Sequence, residues 1–111
     1  MPLSRESILS ADDLKREEVQ VPEWGGSVFV RVMGGSERDA FEAIHIQSPH
    51  KDFRARLTVQ TACDENGVRL FTDADIDALG KKSAAAIDKV FAVSCRINGL
   101  TKQDVEELGN A

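Results

Sequence analysis

The last third of the sequence limits the fold most, because helical patterns there alternate with residues that begin and end helices. Thr72 and Ser83 each stand before such a pattern, and their hydroxyls can accept hydrogen bonds from free backbone N–H groups at a helix N-terminus. Gly80 and Gly99 stand where the first two patterns end, a position that favours glycine. The segment therefore predicts a short helix, a long helix and a final helix.

The long helix after Ser83 has a broad apolar stripe with a period of 3.6 residues. The positions of that stripe are Ala84, Ile87, Val90, Phe91, Val93, Ser94 and Ile97. In the short helix before it, Ile76 and Leu79 are the predicted buried residues, and the final helix begins at Thr101.

Residues 19–32 predict a β-hairpin, because two runs rich in β-branched residues flank a turn that contains proline and two glycines. The second run alternates with the period of a strand and reads Val28, Phe29, Val30, Arg31 and Val32. Val19 and Val21 match one face of the partner strand. Since a two-stranded ribbon is barely stable alone, we expect a helix to cover it.

Two more helices are predicted in the N-terminal half of the chain. Ser4 predicts the cap of a short one, whose apolar residues Ile8 and Leu9 must dock on another element for the helix to persist. Ser36 and Asp39 have an S-x-x-D capping arrangement and predict the start of the other. Its expected apolar positions are Ala40, Phe41 and Ile44.

Residues 53–63 follow Pro49, which predicts the end of the preceding helix, and their own pattern is ambiguous. Apolar and polar residues alternate from Phe53 to Cys63, which favours a strand slightly. Asn66-Gly67 would then turn this strand into a partner over residues 68–71. A helix is also compatible with the segment, because several small or apolar residues would share one side: Ala55, Val59, Ala62 and Cys63.

Together the segments predict an α+β fold that is predominantly helical, with an N-terminal β-hairpin followed by four or five helices. We expect one compact domain over residues 1–111, in which residues 1–4 and 109–111 fray. A chain of this length, with 41% hydrophobic residues, can bury one core.

Charge and composition exclude several classes of protein. The net charge of −5 gives no basic excess of the kind that binds nucleic acid, and the few aromatic residues argue against a platform for stacked bases. No apolar run approaches the roughly 18 residues of a membrane span, and the first residues lack the apolar core of a secretory signal. We therefore expect neither nucleic acid nor a membrane as a partner.

Few residues point to catalysis or to metal binding. Cys63 and Cys95 lie among apolar neighbours, so the simplest interpretation is two buried thiols. Cys63 could join His45 and His50 in a metal site, but the spacing matches no metal signature. No third group is evident that would orient a Cys-His nucleophile. We expect no catalytic residue, no metal and no cofactor.

Five residues are candidates for contact with a protein partner: Trp24, Phe29, Arg54, Arg56 and Phe91. Trp24 stands at the tip of the predicted hairpin, where it either folds back on the core or is offered to a partner. Phe29 lies on the hairpin, and Phe91 belongs to the stripe of the long helix. Arg54 and Arg56 form a basic cluster with Lys51, which is either a solvated face or a binding patch.

Several short motifs, taken in order and spacing, cover nearly the whole chain from about residue 6 to residue 108. They are Ile8-Leu9-Ser10-Ala11-Asp12-Asp13-Leu14, Val21-Pro22-Glu23-Trp24-Gly25-Gly26, Gly35-Ser36-Glu37-Arg38-Asp39-Ala40-Phe41, Phe53-Arg54-Ala55-Arg56-Leu57, Asp64-Glu65-Asn66-Gly67, Leu70-Phe71-Thr72-Asp73, Lys82-Ser83-Ala84-Ala85-Ala86 and Asn98-Gly99-Leu100-Thr101. In this arrangement the chain resembles the tail assembly chaperones of bacteriophages with long non-contractile tails and of related prophages. It departs from the family at the short connector Pro49-His50-Lys51, where members often have a longer insert.

The resemblance implies a binding protein without catalytic residues. Members of the family bind the tape measure protein, a long and mostly helical protein that sets tail length, and keep it soluble in the host cell cytoplasm. They are absent from the mature virion. Many of their genes also give a longer product by ribosomal frameshift, whose extension is thought to recruit the major tail protein, and this chain looks like the short form. Helices predominate in the family, which favours a helix over residues 53–63.

Further expectations concern assembly and the rival functions. Several apolar stripes on short elements in a small chain predict a homo-oligomer. One alternative function is that of a small acidic cytosolic adaptor of antitoxin-like type, which would bind a folded partner rather than a helical tape. The other is that of a small enzyme that uses Cys63 as a nucleophile.

Overall fold

Six helices, three short strands and two 3-10 turns form the described chain, which is residues 1–47 and 52–109 of a computed structural model. In chain order the elements are α1 (Arg5–Ser10), β1 (Arg16–Val21), β2 (Gly26–Arg31), α2 (Gly35–Gln47), α3 (Phe53–Thr61), β3 (Ala62–Cys63), α4 (Ile76–Gly80), α5 (Ala84–Ile97) and α6 (Lys102–Gly109). The 3-10 turns are Pro22–Trp24 and Asp73–Asp75. Five helices follow the hairpin, so the predicted fold class, α+β and mainly helical, is confirmed.

The predicted hairpin forms two strands of an antiparallel sheet whose order is β1-β2-β3. Val21 at the end of β1 lies opposite Gly26 at the start of β2, and Phe29 of β2 lies opposite Cys63 of β3. Gly25 closes the turn with a φ of +80°, which glycine adopts without strain. The short β3 therefore adds a third strand to the predicted ribbon.

A helix covers the hairpin, as the sequence predicted. Val19, Val21 and Val30 are buried on one face of the sheet, where they form a cluster with Ala86 and Val90 of α5. The alternation read from the sequence is correct here, because α5 covers one face of the hairpin, whereas the residues of the other face are exposed or half-exposed except Arg31, which is buried.

The boundaries predicted in the last third of the chain are confirmed. The Ser83 hydroxyl accepts a hydrogen bond from the Ala86 N–H at the start of α5, and Thr72 forms a capping box before α4. Thr101 makes reciprocal hydrogen bonds with Asp104 at the start of α6. Within the predicted stripe of α5, Ala84 alone is exposed. Of the predicted frayed ends, residues 110–111 lie outside the described residues.

Residues 53–61 form a helix, so the slight preference for a strand is wrong there, and the helical alternative is correct except at Ala62 and Cys63, which form the strand β3. α3 is buried on most of its circumference, and its buried residues are Phe53, Ala55, Leu57, Thr58, Val59 and Thr61. Two polar residues of the segment are buried as well: the Thr58 and Thr61 hydroxyls donate to the carbonyls of Arg54 and Leu57, four residues earlier. Arg54 is exposed, and Arg56 and Gln60 are half-buried. The residues of the apolar set are thus buried, but those of α3 lie around a helix and not on one face of a strand.

The second predicted hairpin is present only in its turn. Gly67 has a φ of +84°, and the Asp64 N–H donates to the Val68 carbonyl over 2.9 Å. Residues 68–71 are not a strand, because pairing on this side is limited to one bridge between Cys63 and Arg69. The turn at Asn66-Gly67 depends only on nearby residues and therefore forms as predicted. The first of the two strands it would join is replaced by α3 and the short β3.

α2 begins one residue before Ser36, so the predicted cap formed by Ser36 and Asp39 is wrong. The Glu37 carboxylate instead accepts the Gly34 N–H over 2.8 Å. The same carboxylate receives two hydrogen bonds from Arg31, at 2.9 and 2.5 Å, and these hold the pKa of Glu37 below its usual value. The Glu37 side chain, which is paired with Arg31 of β2, thus accepts a backbone N–H at the start of α2.

The buried face of α2 also differs from the prediction. Ala40 and Ile44 are exposed, whereas Phe41 and His45 are buried against Phe53 of α3. Phe41 and His45 are four residues apart and so lie one above the other on the same side of the helix. The predicted end of this helix at Pro49 lies outside the described residues.

Candidate partner-binding site

An open groove of about 390 Å³ lies between the N-terminal halves of α3 and α5 and reaches α6. Its apolar lining includes Ile87 and Phe91 of α5 and Val105 of α6, and Arg54 and Lys82 add two cationic side chains. We call it the α3–α5 groove. An apolar floor with charged side chains at its border is the usual composition of a site that holds a peptide or helix.

The structure brings two of the predicted contact residues together in this groove. Phe91 is half-buried and meets Phe53 edge to face, with ring centroids 5.5 Å apart. Arg54 places its guanidinium carbon 5.9 Å from the centroid of the Phe91 ring and forms an ion pair of 2.6 Å with Asp88. Asp88 partly neutralises this member of the predicted basic cluster and holds it beside the aromatic ring, while Lys51 lies outside the described residues.

Trp24 is folded back on the core. It packs against the cluster under the hairpin and against the cluster between α3 and α4, and it remains half-exposed. With Phe71 and Leu79 it lines a second recess, of about 460 Å³, which we call the Trp24 pocket. Glu23 ties the same 3-10 turn to α5 through an ion pair with Lys89. Trp24 thus serves the core and also presents part of its ring at a recess.

Lys82 lines both the α3–α5 groove and the Trp24 pocket, so the two recesses are neighbours. Sequence reasoning missed Lys82, Ile87 and Val105 as site residues. The sequence shows Lys82 only as one of two cations behind a helix, where they suit the helix dipole. Lys82 lies at both recesses because α4 packs between α3 and the 3-10 turn that contains Trp24. No local sequence pattern predicts that packing.

Phe29 and Arg56 lie away from these recesses. Phe29 is half-exposed on β2 and lines a shallow crevice of about 280 Å³ with Leu14 and Arg16. Arg56 is on α3, and its charge contributes to lowering the pKa of His45. The five predicted contact residues therefore do not form one surface.

His45 and the two cysteines are held in their neutral forms. Burial among Phe41 and Phe53, followed by the charge of Arg56, lowers the pKa of His45 to about 4. Burial raises the pKa of the Cys63 thiol, and it raises the pKa of the Cys95 thiol to about 11. A protonated thiol is a poor nucleophile and a poor metal ligand.

Within residues 1–47 and 52–109, no group of three or more His, Cys, Asp or Glu side chains could hold a metal ion. None of the helices described is long and apolar enough to cross a membrane. Comparison of the chain with protein-family models, with curated proteins and with solved structures finds no match.

Proposed function

We propose that the protein is a tail assembly chaperone that binds the tape measure protein and keeps it soluble during tail assembly. The observation that carries the proposal is the α3–α5 groove, in which Phe91 and Arg54 lie together on an apolar floor. The resemblance of the sequence motifs to the chaperone family supplies the partner. The groove supplies a place for one side of a helix.

The groove suits a partner helix with an apolar stripe. Apolar side chains spaced by three or four residues on that helix would contact Ile87, Phe91 and Val105. Acidic side chains beside the stripe would pair with Lys82, which has no ion pair within the part of the chain that the structure describes. A holdase of this kind covers apolar surface that would otherwise aggregate.

Several copies would act along one tape. A groove of this size holds only a short stretch of helix, so each contact is weak and the strength comes from repetition along a long partner. In this proposal the protein self-associates, acts in the host cell cytoplasm and is absent from the mature virion. A longer frameshifted form would bring the major tail protein to the complex.

The test is co-expression with the long helix-rich protein encoded just downstream in the genome. The wild-type chain should move that protein from the pellet to the supernatant and co-purify with it. Phe91→Ala and Lys82→Glu should each lower the captured amount about tenfold. The matched controls are Val68→Ala and Lys15→Glu, because Val68 and Lys15 are exposed outside both recesses.

Circular dichroism of each variant shows whether it is folded, so that lost capture is not confused with lost structure. A long protein that stays insoluble beside the folded wild-type chain would overturn the proposal and leave the adaptor function in its place. Capture that is unchanged by Phe91→Ala and by Lys82→Glu would remove the groove from the contact.

A further inference from the structure

An arginine of α3 reaches across to α5 at the border of the α3–α5 groove. The Nε atom of Arg54 lies 2.6 Å from a carboxylate oxygen of Asp88, and its guanidinium carbon lies 5.9 Å from the centroid of the Phe91 ring. Asp88 and Phe91 are three residues apart on α5, so they are neighbours on the surface of that helix. One side chain of α3 thus contacts an acid and an aromatic ring of α5 together.

Asp88 holds the arginine but is not itself part of the groove. Arg54 and Phe91 line the groove, whereas Asp88 does not. The Arg54 and Asp88 side chains are 60% and 50% exposed, and an ion pair between such exposed groups adds little to the stability of a fold. The pair does restrict a long side chain that would otherwise move among many rotamers. Its effect is therefore to position Arg54 at the groove.

The ion pair leaves donors of the Arg54 guanidinium available. Its Nε is the nitrogen nearest to Asp88, and no other acid pairs with it within the described residues. A guanidinium has five N–H donors in a planar fork, which can bind a carboxylate through two parallel hydrogen bonds. Asp52, the acid that lines the groove, lies instead beside Gly80 of α4. Arg54 can therefore bind a second carboxylate, supplied by a ligand in the groove.

We propose that Arg54 recognises a carboxylate on the partner helix, next to an apolar side chain that packs on Phe91. The two partner residues are three or four positions apart, the spacing that makes side chains neighbours on a helix. Asp88 is a positioning residue, because it acts only through Arg54. The inference rests on the proposed function, and it adds an acid at a fixed spacing from the apolar stripe of the partner.

The binding of two peptides tests this recognition. Both are capped helical peptides of about 16 residues with leucines spaced by three and four residues. One has a glutamate beside the leucines, and the other has a glutamine at that position. The wild-type chain should bind the glutamate peptide about fivefold more tightly, because a hydrogen bond to a charged acceptor is stronger than one to a neutral acceptor. Fluorescence anisotropy of the labelled peptides measures both affinities.

Two variants separate recognition by Arg54 from a general effect of charge. Arg54→Gln should bind the two peptides equally. The matched control is Arg96→Gln, which removes the same charge and should keep the fivefold preference. Arg96 pairs with Glu17, its side chain is also 60% exposed, and it does not line the groove. Circular dichroism shows whether each variant is folded.

A third variant tests the positioning role of Asp88. Asp88→Asn should weaken binding of the glutamate peptide about threefold, because Arg54 must then be ordered at the moment of binding. A role of Asp88 as a repelling charge alone would have the opposite sign, since its removal would then strengthen the binding of an acidic peptide. Tighter or unchanged binding by Asp88→Asn would therefore overturn the positioning role.

Equal binding of the two peptides by the wild-type chain would overturn the recognition of a carboxylate by Arg54. A preference that survives in Arg54→Gln would overturn it too, and so would a wild-type chain that binds neither peptide. These outcomes are separate from those of the capture experiment. Capture of the downstream protein without a preference for the glutamate peptide rejects only the role of Arg54. A preference for that peptide without capture rejects only the chaperone function.

Discussion

His45 shows how a single residue links burial to pH. Its side chain is fully buried between the rings of Phe41 and Phe53, and neither ring nitrogen has a hydrogen-bond partner among the described residues. A charged imidazole there would lose its hydration without gaining an acceptor. The folded chain therefore keeps His45 neutral, with a pKa of about 4.

The stability of the protein should fall as the pH decreases from 6.5 to 4. In the unfolded chain the pKa of His45 is near 6.5, so within this window the unfolded state binds the proton and the folded state does not. The stabilisation is complete above pH 6.5 and is lost toward pH 4, by up to about 3 kcal/mol. Urea denaturation at a series of pH values measures it.

A histidine variant controls this prediction. His45→Phe replaces the imidazole with an apolar ring of similar size and should make the free energy of unfolding nearly constant over that pH range. An unchanged slope in His45→Phe would assign the dependence to other groups.

Asn98 is the opposite case, a buried polar residue whose hydrogen bonds are satisfied. Its side-chain oxygen accepts the Met33 N–H over 2.7 Å, and its side-chain nitrogen donates to the Ser94 carbonyl over 2.9 Å. Its own carbonyl accepts a hydrogen bond from Arg38 over 2.7 Å. The sequence shows Asn98 only as the residue before the glycine that ends α5. In the structure its hydrogen bonds join α5 to the segment after β2 and to α2.

At the scale of elements, the end of α5 shows how a local motif stops a helix and starts a tertiary contact. Gly99 adopts a φ of +66° and donates to the Arg96 carbonyl, while the Leu100 N–H reaches back to the Cys95 carbonyl over 2.9 Å. These two bonds form a Schellman motif. Leu100 is buried beside Phe41 and Leu57, so the same motif directs the chain into the core.

Gly99→Ala should lower the free energy of unfolding by about 1 kcal/mol, because a Cβ disfavours the left-handed conformation at this position. No atom lies near enough to clash with that Cβ, so the cost is conformational. The matched control is Gly35→Ala at the start of α2, where space is also open and φ is not positive. Chemical denaturation of both variants measures the difference, and equal stabilities would contradict the prediction.

At the scale of the whole molecule, α3 is the element that the other layers share. It packs on α5, α4 and α2, and its residues take part in two of the three apolar clusters. Leu57 is completely buried in the first of these clusters. The hydroxyls of Thr61 and Ser94 share a hydrogen bond of 2.7 Å between α3 and α5. Loss of packing at α3 should therefore weaken the whole fold.

Leu57→Ala should lower the free energy of unfolding by about 3 kcal/mol, which is typical of a leucine removed from a packed core. Leu70→Ala is the control, because Leu70 is 50% exposed and its truncation should change stability by less than about 0.5 kcal/mol. Urea denaturation followed by circular dichroism gives both values. A cost at Leu57 no larger than that at Leu70 would show that α3 is not central.

The sequence by itself determined the features whose physical cause lies within a few residues. Ser83, Thr72 and Thr101 mark helix starts because their side chains bond backbone groups three residues away, and Gly99 marks a helix end because it adopts a positive φ. The hairpin alternates visibly because α5 covers only one of its faces. These features were predictable without knowledge of the rest of the chain.

The tertiary structure alone decided the features that depend on what packs against an element. α3 is buried on most of its circumference, so its sequence shows no clear helical period. The buried side of α2 is set by contact with Phe53 rather than by its own pattern. Arg54 meets Phe91, and Lys82 lies between two recesses, although the residues involved are far apart in the chain. Burial depends on neighbouring elements, and one segment of sequence does not contain its neighbours.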